Sequence, residues 1–70
     1  MSNRWFYYRA IVNDKQGKKY RFVFMNNNLQ LAHDHADMVS RMKDFTVKSV
    51  SRLDNDTGKK LINEPIFVAI

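Results

Sequence analysis

From Arg4 to Val12 the chain alternates. Phe6, Tyr8, Ala10 and Val12 fall on one parity, and Trp5, Tyr7, Arg9 and Ile11 on the other. Alternation in a stretch rich in aromatic and β-branched residues predicts a β-strand. Asn13-Asp14-Lys15-Gln16-Gly17 then supplies turn residues, with Gly17 suited to a positive φ. Lys19 to Met25 alternates again, so the two segments predict a hairpin with a loop of about five residues. From Leu29 to Lys43 the period becomes helical, with apolar residues at Leu31, Ala32, Ala36, Met38, Val39 and Met42. Asn27 or Asn28 can cap that helix by accepting from a free backbone N–H of its first turn. Arg41 and Lys43 complement its dipole at the other end.

Phe45 to Leu53 predicts a third strand of open register, because Phe45, Val47 and Leu53 share one parity while Val50 takes the other. Asp54-Asn55-Asp56-Thr57-Gly58 reads as a β-turn. Leu61 to Ile70 reads as a fourth strand, at an edge or bulged, since Pro65 cannot donate to a ladder. The order is ββαββ. It predicts a single α+β domain over residues 1–70, with an antiparallel sheet of two hairpins and one amphipathic helix packed on one face. Phe6, Tyr8, Ala10, Val12, Tyr20, Phe22 and Phe24 belong under the helix. Trp5, Tyr7, Arg9, Ile11, Arg21, Val23 and Met25 share the other face, for which a short chain offers no obvious cover.

Composition narrows the function classes. Seventy residues with 44% apolar content, five Phe, three Tyr and one Trp are enough for one small core. The absence of cysteine removes disulfides, thiolate metal sites and a cysteine nucleophile. Met1-Ser2-Asn3-Arg4-Trp5 has no apolar leader segment, and no run approaches the length of a spanning helix, so a cytoplasmic, non-membrane protein is expected. Asn55-Asp56-Thr57 fits a glycosylation sequon, but without secretion it reads as part of the turn.

The net charge is +5, and residues 1–25 account for all of it, with Arg4, Arg9, Lys15, Lys18, Lys19 and Arg21 against Asp14. Aromatic and cationic residues interleaved on a sheet suit nucleic acid, where rings stack on bases and cations meet phosphates. The same apolar and aromatic residues suit a protein interface. The expected binding residues are therefore Trp5 and Tyr7 as anchors, Arg9 and Arg21 as charged contacts, and Lys15, Lys18 and Lys19 as steering charges. The bland alternative packs Trp5 and Ile11 against the C-terminal residues and leaves the lysines to solubilise a turn.

His33-Asp34-His35-Ala36-Asp37 suggests metal or acid–base chemistry until helical spacing is applied. His33 and Asp37 share a face while His35 lies with Leu31, Met38 and Met42, so three ligands do not converge. Asp54 to Gly58 resembles the start of a calcium loop but has its glycine one place early and lacks the closing glutamate. No phosphate-binding glycine loop or nucleophile elbow is present. A non-enzymatic protein without metal or cofactor is expected.

Two resemblances add to this. Arg4-Trp5-Phe6-Tyr7-Tyr8-Arg9 followed by Asp14-Lys15-Gln16-Gly17-Lys18-Lys19-Tyr20 resembles the N-terminal arm-binding domain of tyrosine recombinases over about residues 4–40. That resemblance implies a sheet laid in the DNA major groove, with Arg9, Lys19 and Arg21 as contacts. The layout, with Leu29–Val39 after a short strand and then Phe45-Thr46-Val47, is similar to small bacteriophage proteins that bind and inhibit host machinery. It implies docking on a host protein or nucleoprotein. Direct DNA or RNA binding by the same face, or a homodimer through it, are the alternatives.

Overall fold

The computed structural model describes residues 4–70, so the reading of Met1–Asn3 as free of a leader lies outside the described residues. Its elements are β1 (Phe6–Asn13), β2 (Lys19–Asn26), α1 (Leu29–Arg41), β3 (Thr46–Leu53), α2 (Asn55–Leu61) and β4 (Val68–Ala69). They form an α+β fold with one four-stranded antiparallel sheet in the order β3-β1-β2-β4. The first hairpin is the predicted one. Asp14 organises its loop, accepting from the Gln16 and Lys18 backbone N–H groups through Oδ1, and Gly17 takes a φ of +84°.

The second hairpin does not form. β3 pairs with β1, and β4 pairs with β2 at the opposite edge. The expected turn at Asp54–Gly58 is instead the start of α2, with Asp54 as its N-cap accepting from the Thr57 N–H at 3.2 Å. Asp56 in the first turn and Lys59 and Lys60 in the last suit the helix dipole. The expected fourth strand over 61–70 shrinks to Val68–Ala69, an edge strand beyond Pro65.

The register of β3 is settled by a bulge. Ile11 stands opposite Ser49 and Val12 opposite Val47, so Lys48 has no partner. The extra residue changes parity, which lets Val47 and Val50 both face α1 and sends Leu53 to the other side.

Asn28 caps α1, accepting from the Leu31 N–H at 2.9 Å. At the other end the Phe45 N–H donates to the Ser40 carbonyl and the Asp44 N–H to Arg41, with Asp44 in the left-handed region at φ +57°. The core lies between α1 and the predicted sheet face. Tyr8, Ala10, Val12, Phe22 and Phe24 are buried there with Ala32 and Ala36. Small residues on the helix let it approach closely, and large rings on the sheet fill the layer. Burial of each large side chain contributes about 2 kcal/mol. Phe45 and Phe67 close the end near the loop, Phe45 stacked on Tyr20 and edge-on to Phe67.

Candidate functional site

The second sheet face is partly covered, with Tyr7, Arg9, Ile11, Arg21 and Val23 half-buried and Met25 exposed. α2 packs against β1, and Gly58 is buried on Tyr7, so closely that a Cβ at position 58 would overlap Tyr7 Cβ, Cγ and Cδ2. The segment after α2 is tied to β2 by the Arg21–Glu64 ion pair at 3.0 Å, with both side chains about two-thirds buried. Tyr7 and Arg21 are thus engaged within the fold. Arg9 is half-buried between Val23 and Ser51 on the neighbouring strands, and its Nε has no hydrogen-bond partner. Trp5 is 55% exposed.

Lys15, Lys18 and Lys19 are exposed at the loop end, where Lys18 lies over the Tyr20 ring and Lys15 makes a loose 3.9 Å pair with Asp44. A pair so exposed contributes little. The seven residues expected to act together therefore divide into a packed group (Tyr7, Arg9, Arg21), an exposed Trp5, and a lysine cluster at the loop.

A different surface carries the exposed apolar residues. α1 buries Ala32, Ala36 and Ser40, leaving Leu31, Met38 and Met42 outside, Met38 at 61% and Met42 at 81% exposure. At about 100° per residue these three lie with His35 in one arc of the helix. His35 packs on Phe24 with ring centroids 4.7 Å apart. Beside it opens a cleft of about 190 Å³, lined by Phe22 and Phe24 of β2, His35 and Val39 of α1, and Ile62, Glu64 and Ile66 beyond α2. Ile66 is 67% exposed.

The helical pattern does not say which of its apolar positions face the sheet, but an arc reaching from Met38 through Leu31 to Ala36 is wider than contact with a single sheet can cover.

Other polar groupings are weaker. A shallow hollow of about 320 Å³ between the hairpin loop and the end of α1 is lined by Asp14, Lys15, Gln16, Lys43 and Asp44, with no apolar wall to hold a ligand. Among the described residues no three His, Asp or Glu side chains gather as metal ligands, and no helix is long and apolar enough to cross a membrane. The Asp54 carboxyl is held below the usual carboxylate range, first by the Thr57 hydroxyl and then by the Thr57 N–H. It serves a helix end. Comparisons with protein-family models, with curated proteins and with solved structures find no match to this chain.

Proposed function

We propose that the chain is a non-catalytic binding protein that docks on a partner protein, free or within a nucleoprotein, through the apolar surface of α1 and the segment after α2. The observation that carries this reading is the exposure of Leu31, Met38 and Met42 on one arc of α1, with Ile66 beside the adjoining cleft. Contiguous exposed apolar groups mark interaction surfaces, and methionine adapts to a partner's shape. The lysine cluster at the hairpin loop supplies steering charge for an acidic partner. The similarity in layout to small bacteriophage host-takeover proteins supports a host protein as that partner. Direct DNA or RNA binding is the second reading, favoured by the exposed Trp5 and the cations Lys15, Lys18 and Lys19.

The readings separate by comparing two variants. Leu31→Ser with Met38→Ser alters exposed positions and leaves the core intact. The expected result is that wild type captures a defined protein from a bacterial lysate, that this double variant does not, and that replacing the three loop lysines by Ala leaves capture intact at physiological salt. Equal capture by wild type and the α1 variant overturns the proposed surface. Oligonucleotide binding whose log–log salt slope falls by about one for each lysine removed supports the second reading instead. Sedimentation velocity identifies a homodimer through the same surface.

A further inference from the structure

The edge of β2 gives this docking a specific form, one that rests on the protein-binding reading. The Lys19 carbonyl accepts from the Ile70 N–H at 3.1 Å, while the Lys18 carbonyl accepts from Asp14 across the hairpin. Odd-numbered residues of β2 therefore turn both backbone groups away from β1. β4 pairs only with Tyr20 and Arg21. That leaves the outward N–H and C=O groups of Val23 and Met25 without a strand partner among the described residues.

The cleft reaches this free stretch at Val23, which lines it between Phe22 and Phe24, together with His35 and Val39 of α1 and Ile62 and Ile66 beyond α2. Glu64 also lines the cleft. One of its carboxylate oxygens binds Arg21, while the other, Oε1, is buried without a hydrogen-bond donor.

An unpaired strand edge, an apolar slot beside it and an acceptor lacking its donor together describe the complement of an extended peptide. We propose that β2 takes an extended segment of the partner protein as an added strand at Val23–Met25. One apolar side chain of that segment enters the cleft, and one hydrogen-bond donor meets Glu64 Oε1. The segment has no net positive charge, because the chain that receives it carries +5. Nucleic acid does not fit this place, since Glu64 repels phosphate and the edge offers paired donors and acceptors at strand spacing.

The test pans a random peptide library on the full chain and follows the enriched peptide by amide hydrogen exchange. The expected peptide is rich in β-branched residues, slows exchange at Val23 and Met25 by at least about tenfold, and loses at least about tenfold in affinity against Met25→Pro. Proline is tolerated on an edge strand whose N–H faces outward, so Met25→Pro keeps the fold, which a thermal transition checks. Should it fail to fold, exchange at Val23 and Met25 in the wild type decides alone. A peptide that leaves those amides unprotected, yet is lost with Leu31→Ser and Met38→Ser, overturns strand addition and leaves the α1 docking surface standing. Recovery of no peptide overturns strand addition, while the lysate capture judges the docking reading independently. Protection of the two amides that rises with protein concentration, without peptide, makes a second copy the occupant and also overturns the proposal.

Discussion

Gly58 is buried because the Tyr7 ring stands where its side chain would be, and this contact seats a seven-residue helix on the sheet. A methyl group there must push α2 outward, so Gly58→Ala is expected to cost about 1–3 kcal/mol in urea unfolding. Adding Tyr7→Ala frees the space and should recover part of that loss, a coupling that a double-mutant cycle measures. In the sequence Gly58 looks like a turn glycine, since nothing local shows that Tyr7, fifty-one positions earlier, determines its role. Ser40 is the opposite kind of residue. Its side chain is 1% exposed and its Oγ has no partner. Ser40→Ala is expected to raise stability by about 1 kcal/mol, because it removes an unsatisfied hydroxyl from an apolar layer. Loss of stability in that variant would show that the hydroxyl has a partner.

At the scale of elements, the hairpin and α1 are legible because their periods are strong and their ends have local signals, Asp14 with Gly17 in the loop and Asn28 at the cap. The rest depends on long-range packing. Both Val47 and Val50 reach the core only because Lys48 bulges, and that choice is made by β1 as partner strand. α2 competes with a turn over Asp54–Gly58. Its helical spacing of Thr57, Gly58, Leu61 and Ile62 decides in its favour only once Tyr7 is available to pack on. The cap also makes α2 sensitive to acid. The Asp54 carboxyl is lowered in the folded state, so its contribution is complete above the ordinary carboxylate range and is lost as pH falls below that range through the lowered folded value. Amide protection over Thr57–Leu61 is expected to weaken below about pH 4. Asp54→Asn keeps a capping oxygen without the titration, and should remove that step while leaving the helix in place. An acid step that persists in Asp54→Asn would place its origin elsewhere.

The molecule carries its lysine cluster and its exposed apolar residues on different elements, the hairpin loop and α1, a division only half visible in the sequence. The charge map is legible directly: Lys15, Lys18 and Lys19 cluster in the first hairpin and remain exposed at its loop. The apolar surface is not, because Leu31, Met38 and Met42 belong to the same helical pattern as the buried Ala32 and Ala36. Which part of that pattern stays outside depends on how narrow the sheet is and on where the segment carrying Ile66 returns. Under the proposed function the two regions divide the work of binding. Screened charges act at range during approach, and desolvated apolar contacts hold the complex once formed. Replacing Lys15, Lys18 and Lys19 by Ala is therefore expected to slow association several-fold at low salt and to flatten its salt dependence, with dissociation unchanged. Met38→Ser should do the reverse, hastening dissociation with little effect on association. Stopped-flow mixing with the captured partner at two salt concentrations distinguishes them. A lysine variant that dissociates faster would move the hairpin loop from steering into the bound interface.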